Sequence, residues 1–205
     1  AIADRKQVVI KSFRKEHHLG EKQIIALLPG SRKQEITKML SVMLSLVDDF
    51  SEYQFVIAGA PSQDFSFYQS IIGSKNIAFI DNKTYDLLSV SFAALVTSGT
   101  ATLEAALFKV PQVVCYKGSN ISYQIAKRII TLAYISLVNL IMDREVVKEL
   151  IQNDFTKKNL SAELKKILDE NQRVKLFEAY YELEQKLGGK GASENTAKSI
   201  VAHLK

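Results

Sequence analysis

The feature that most constrains this chain is an alternation. From residue 23 to about residue 140, short apolar runs take turns with longer segments of helical period. The runs "QIIALLP", "YQFVIAG", "IAFI", "AALVTS" and "PQVVCY" read as strands, with a weaker sixth in "YISLV". They are rich in Ile, Val, Ala and Leu and lack strict polar alternation. Strands of that kind are buried on both faces, and strands separated by helices pair in parallel.

Between the runs, "KQEITKMLSVMLSLVDDF" places Ile36, Met39, Leu40, Met43, Leu44 and Val47 at the three- and four-residue spacing of an amphipathic helix. "GTATLEAALFK" and "SYQIAKRIITLA" read as two more helices. Beyond about residue 145 the pattern predicts helices only: "EVVKELI", "SAELKKILDE", "RVKLFEAYYELEQKL" and, after a break at Gly188, Gly189 and Gly191, "SENTAKSIVAHL". The expected architecture is a doubly wound α/β sheet with helices on both faces and a helical C-terminal tail. The expected division is residues 1–22 as an N-terminal linker segment, 23–150 as the α/β domain and 151–205 as C-terminal helices.

Composition narrows the function classes. At 205 residues, 47% hydrophobic and 24% charged, the chain has material for one full core. It contains no run of about 18 apolar residues of the kind that crosses a bilayer. The opening "AIADRKQVVI" lacks a long apolar stretch and a small-residue cleavage site, so a cytoplasmic location is expected. Cys115, the sole cysteine, lies in the apolar "PQVVCYK" and reads as a buried, inert thiol. The net charge of +5 favours polyanions in general, but the lysines are interleaved with Glu and Asp as on solvated helix faces.

Two stretches carry chemistry. In "LLPGSRKQEI" a strand ends at Leu28, Pro29 and Gly30 turn the chain, and Ser31 is placed to cap a helix beginning near Arg32. Backbone N–H groups at such a start attract phosphate, and Arg32 can add a charge-assisted bond. The same segment also serves as an ordinary capped turn with a solvated arginine. In "SGTATLEAALFKVPQVVCYK" the pattern repeats: Gly99 lets a phosphate approach the backbone, and Ser98 or Thr100 can cap the helix and donate to phosphate oxygens. Glu104, five residues past Gly99, can accept both hydrogens of a ribose diol, or can simply be a carboxylate favoured by the helix dipole. Both starts fall at the carboxyl edge of the sheet, where open α/β sheets bind ligands.

Other candidates are weaker. His17, His18 and His203 have no partners at metal-ligand spacing and read as solvated surface residues. Asp48 and Asp49 end a helix and read as a solvated edge. "GxxxxGK[ST]", "GxSxG" and "GxGxxG" are all missing from the sequence, which sets aside P-loop, α/β-hydrolase and ordinary dinucleotide readings. Neither a metal nor a cofactor is expected.

Three blocks then carry a resemblance. "IALLPGSRKQEI", "LVTSGTATLEAALFKVPQVVCYK" and "YISLVNLIMDREVVKELIQNDFT" resemble the carboxyl-terminal half of the lipid-A-disaccharide synthases, bacterial glycosyltransferases of the two-domain B fold. The likeness covers nearly the whole chain, and "SGTATLEAALFKVPQVV" also resembles related UDP-sugar transferases of cell-wall synthesis. It implies a Rossmann-like fold and the transfer of 2,3-diacylglucosamine from its UDP derivative to 2,3-diacylglucosamine 1-phosphate, with UDP released. Carried over by position, Gly30, Ser31 and Arg32 would face the diphosphate, Arg32 would stabilise the departing UDP, and Ser98, Gly99, Thr100 and Thr102 would form a second phosphate cradle. Glu104 would take the ribose. Asn139, Arg144 and Glu145, in "VNLIMDRE", would lie near the donor and the cleft, and Val138 stands where many members have proline.

Members of this family run to about twice this length, with an amino-terminal domain that supplies the acceptor site and the catalytic base. By that likeness the chain is a donor-binding domain, inactive alone. Its partners would be that domain and the acylated sugar substrates, with peripheral contact at the cytoplasmic face of the inner membrane, and the helical tail could pair with a second copy. Nucleic acid is not an expected partner. Two other classes remain open at this point: a UDP-N-acetylglucosamine transferase or 2-epimerase domain, and a non-catalytic nucleotide-binding module.

Overall fold

A computed structural model describes residues 10–118 and 133–188. Six parallel strands form one sheet: β1 Ile24–Leu28, β2 Gln54–Gly59, β3 Ala78–Asp81, β4 Ala93–Thr97, β5 Gln112–Tyr116 and β6 Lys148–Ile151. Their order in space is β3-β2-β1-β4-β5-β6. The chain winds outward from β1 in one direction, returns, and winds outward again from β4. The loops that leave β1 and β4 therefore diverge, and a crevice opens at the carboxyl ends of these two neighbours.

The helices are α1 Ile10–Glu16, α2 Lys33–Leu44, α3 Phe65–Ile72, α4 Thr84–Val90, α5 Thr100–Leu107, α6 Leu137–Met142, α7 Lys157–Leu168 and α8 Glu170–Lys186. Strand side chains alternate between two cores, as a period of two requires. Ile25 and Leu27 of β1 face Ile36, Met39, Leu40 and Met43 of α2 together with Leu160 and Leu164 of α7. Ile24, Ala26 and Leu28 face Leu87 and Leu88 of α4, Ala105 of α5 and Phe13 of α1. All five residues of β1 are buried, so the unbroken apolar run is explained by double coverage.

The sixth strand is not where the sequence suggested. "YISLV" does not form it: Ser136 caps α6, its hydroxyl accepting from the Asn139 N–H at 3.3 Å, and the helix begins at Leu137. The strand lies in "EVVKELI", which was expected to be helical. Asp143 ends α6 in the left-handed region at φ 53°, and the buried Asn139 amide takes over. Its Oδ1 accepts from the N–H groups of Val146 and Val147 at 2.8 and 3.0 Å, and its Nδ2 donates to the Val147 carbonyl at 2.8 Å. These bonds straighten the segment and let Lys148 register with Val113 of β5. A short amphipathic heptamer does not reveal its period, and here a distant amide decides it.

The helices after residue 151 form the expected helical C-terminal part and pack on the sheet. Leu160, Leu164, Leu176, Tyr180 and Leu183 join the same core as β1 and β5. At the amino edge of the sheet, the Arg173 guanidinium of α8 lies 3.5 Å from the centroid of the Phe92 ring, and its Nη1 donates to the Phe92 carbonyl at 2.7 Å. The N-terminal segment is likewise packed, with Phe13 and Leu19 buried. Its His17 is not a solvated residue: the side chain is 18% exposed, and its ring lies 4.6 Å from that of Phe13. The expected helices "SYQIAKRIITLA" and "SENTAKSIVAHL", with Gly189, Gly191 and His203, lie outside the described residues.

Candidate functional site

The crevice at the switch point is a cavity of about 360 Å³. It is lined by Leu28, Gly30, Ser31 and Glu35 after β1, by Ala58 to Pro61 after β2, by Thr84, and by Thr97 to Ala101 with Glu104 after β4. Its volume falls in the range of small-ligand pockets, about 300–1,000 Å³. Both helix starts singled out in the sequence open into it. They differ in how they are built.

At the first start, Gly30 adopts φ 102°, a conformation that side-chain-bearing residues rarely reach. A Cβ there would stand 2.9 Å from Glu35 Oε2 and 3.3 Å from Glu35 Cβ, so the Glu35 side chain lies directly over the turn. α2 begins at Lys33 with Arg32 in the capping position and without a side-chain cap. The expected Ser31 cap is therefore not made. Ser31 instead offers its carbonyl to the Ser62 hydroxyl at 3.0 Å and the Gln63 amide at 3.2 Å, tying the loop after β2 to the loop after β1. That second loop is held in turn by Tyr68, whose buried phenol oxygen accepts from the Ala60 N–H at 2.9 Å. Burial lifts the Tyr68 phenol above its ordinary pKa, so it stays a neutral acceptor.

Arg32 extends outward. Its side chain is 83% exposed, and Nη1 lies 3.1 Å from Glu35 Oε1. It does not line the cavity, whereas Glu35 does.

At the second start, Gly99 occupies the capping position with φ 155° and ψ −163°, a region that essentially belongs to glycine. Among the described residues, chain neighbours apart, no atom lies within 4 Å of where a Cβ would be. Ser98 and Thr100 do not cap the helix: the Ser98 hydroxyl donates to the Ile135 carbonyl at 2.8 Å, and Thr100 is the first helical residue, with its side chain exposed at the cavity. Thr102 is fully buried, its hydroxyl donating to the Gly99 carbonyl at 2.8 Å and its own carbonyl accepting from Gln112 Nε2 at 2.8 Å. It braces the turn from behind and does not reach the cavity. The Thr102 N–H is taken by the Gly99 carbonyl at 3.2 Å, and the earlier N–H groups of α5, at the cavity-lining Thr100 and Ala101, have no carbonyl one turn earlier within the helix to bind.

Glu104 lines the same cavity from the second turn of α5, half-buried, with Oε1 accepting from the Tyr85 hydroxyl at 3.2 Å. The sequence reading missed Tyr85, Glu35 and Thr97. Thr97 ends β4 at 5% exposure, and its hydroxyl has no hydrogen-bond partner among the described residues. Glu35 and Thr97 lie inside the marked blocks but at positions no turn or capping pattern announces, and Tyr85 lies in α4, outside any motif.

The third group of expected site residues stands elsewhere. Asn139 is fully buried and shapes β6. Its Nδ2 also donates at 2.8 Å to Glu149 Oε1, which further accepts from the Ser136 N–H and hydroxyl at 2.9 and 2.7 Å. Arg144 pairs with Glu182 of α8, and Glu145 with Lys148 at 3.2 Å. None of the three lines the cavity. Cys115 is fully buried, and burial lifts its thiol far above the usual range, so it is inert as a nucleophile. Asp48 and Asp49 form solvated ion pairs with Lys75 and Lys157 at 2.9 and 2.8 Å.

Comparisons with known proteins bear on this arrangement. The profile of the lipid-A-disaccharide synthetase family matches residues 2–203. The lipid-A-disaccharide synthase of Syntrophus aciditrophicus is 37% identical over 189 residues, covering 88% of this chain and 49% of that protein. The chain thus spans about half the length of the curated relatives it matches. Among solved structures, the S. aureus MnaA complex with UDP aligns at TM-score 0.63 and 17% identity, over 97% of this chain and 51% of that one. The Anabaena HepE complex with UDP and glucose aligns at TM-score 0.60 and 11% identity, over 94% and 51%. At such identities these two likenesses speak for the fold. With a profile match over nearly its full length and relatives above 30% identity across most of it, the chain belongs to the lipid-A-disaccharide synthetase family.

Proposed function

We propose that this chain is the donor-binding part of a glycosyltransferase that moves 2,3-diacylglucosamine from its UDP derivative onto 2,3-diacylglucosamine 1-phosphate, giving the lipid A disaccharide and UDP. The observation that carries this reading is the pairing, in one cavity, of an uncapped glycine helix start at Gly99 with the Glu104 carboxylate one turn on. The start of α5 offers oriented N–H groups and the positive end of a dipole to the diphosphate, with Thr100 at its mouth. Glu104, fixed by Tyr85, receives the ribose hydroxyls.

Departure of UDP leaves charge on the diphosphate. Fixed N–H groups and the Arg32 guanidinium, drawn into the cavity, would stabilise it, a role that preorganised donors and cations perform in acyl and phosphoryl transfer. The acceptor hydroxyl and its base belong to a second domain of the whole enzyme, and residues 1–22 lead from that domain into this one. The acylated substrates call for a peripheral contact with the cytoplasmic face of the inner membrane. Among the described residues no helix is long and apolar enough to cross a membrane.

The test is a chimera in which this chain replaces the matching half of the Syntrophus aciditrophicus relative. Disaccharide lipid and free UDP are the expected products. An epimerised sugar nucleotide, or no turnover from a folded chimera, would sink the assignment. In that chimera Arg32→Ala should lower turnover more than donor affinity, and equal loss in both would remove its leaving-group role.

A further inference from the structure

The cavity carries the wrong charge for an anionic ligand. Among its described lining residues two are carboxylates, Glu35 and Glu104, and none is lysine or arginine. The nearest cation in sequence to the Gly30 turn, Arg32, is held outside by Glu35. Glu35 therefore does two things at once: one oxygen covers the Gly30 turn, and the other binds the guanidinium.

We propose that Glu35 is a positioning residue that holds Arg32 off the cavity, and that a diphosphate takes Arg32 from it by exchange of one anionic partner for another. The inference rests on the nucleotide-binding reading above and adds a step of selection to it. A ligand without phosphate cannot draw Arg32 in, so the exchange discriminates nucleotide from nucleoside.

The energetics permit the exchange. An exposed pair three residues apart contributes little, so little is lost when it opens. Guanidinium bonds to phosphate are charge-assisted and often bidentate, and are roughly twice as strong as neutral ones. Glu35 does not depend on Arg32 to stay in place, because the first turn of α2 is itself favourable for a carboxylate. Its charge remains beside the turn and opposes the incoming diphosphate. Neutralising it should release Arg32 and remove that opposition together.

The experiment is a calorimetric titration of the chain with UDP and with uridine, on the native protein, Glu35→Gln, Arg32→Ala and the double variant. The proposal expects Glu35→Gln to tighten UDP by about threefold to tenfold and to leave uridine unchanged. In the Arg32→Ala background the gain should shrink by at least about twofold, to the part that the lost opposition of Glu35 supplies, because no guanidinium is left to release. UDP binding that Glu35→Gln leaves unchanged or weakens would overturn the exchange and leave the nucleotide reading standing, as would a gain of the same size with and without Arg32. A change shared equally by UDP and uridine would reduce Glu35 to a helix-start carboxylate. Failure of every protein to bind either ligand would overturn the exchange together with the nucleotide reading.

Discussion

The two helix starts at the switch point share one grammar of strand, glycine, hydroxyl and helix, yet the chain finishes them differently. At α2 the third helical residue is Glu35, and its carboxylate folds back over Gly30 and binds Arg32. At α5 the third is Thr102, which turns inward and fastens its hydroxyl to the Gly99 carbonyl. The first start carries its own anion; the second places Thr100 and Ala101, its first helical residues, at the cavity, with Glu104 a turn further on. Ligand capacity at a glycine turn is therefore set by the residue three places into the helix as much as by the turn.

Variants can break this contrast. The largest effect should come from behind the open start, where Ser98 is anchored to Ile135 beside the Asn139 and Glu149 network. Asn139→Ala would strip the Val146 and Val147 N–H groups, the latter buried, and the Glu149 carboxylate of a partner, lowering unfolding stability by about 3–5 kcal/mol in urea titration. A loss under about 1 kcal/mol would mean that this network does not support the site.

Next comes Gly30→Ala. The added Cβ meets Glu35 at 2.9 Å on a backbone with φ 102°, and should cost about 2–3 kcal/mol. Gly99→Ala meets nothing among the described residues and bears conformational strain, about 1–2 kcal/mol, but should hinder UDP where Gly30→Ala hinders folding. Equal stability losses would erase the distinction between a covered and an open turn.

Glu104→Ala should weaken UDP about tenfold while leaving stability within about 0.5 kcal/mol, as read by calorimetry and thermal unfolding. The smallest effect belongs to Tyr85→Phe, which removes the bond that orients Glu104. The preference for UDP over its 2′-deoxy analogue should fall about two- to threefold, with the affinity for the analogue unchanged.

The parallel sheet was legible because β1, β2, β4 and β5 are buried nearly throughout and declare themselves as unbroken apolar runs, with β3 a shorter, half-buried run at the edge. β6 was not, because its seven-residue segment carries no resolved period and is drawn into the sheet by Asn139, a residue whose sequence context suggested ligand contact. The two glycine turns were legible from the turn chemistry of glycine and its neighbouring hydroxyls. What those hydroxyls do was not: Ser98 turned to the Ile135 carbonyl, far along the chain, and Thr102 to the Gly99 carbonyl, and such choices are settled by packing. The exposed outward course of Arg32 depends in the same way on where Glu35 lies.

The central claim is that the start of α5, and not that of α2, receives the diphosphate. Its most direct test is a titration of the isotope-labelled chain with UDP, following backbone amide resonances. The expected result is saturable shifts largest at Gly99, Thr100 and Ala101, with smaller ones at Gly30 to Lys33. Largest shifts at Gly30 to Lys33, or saturating UDP that leaves the Gly99 to Ala101 amides unmoved, would contradict it.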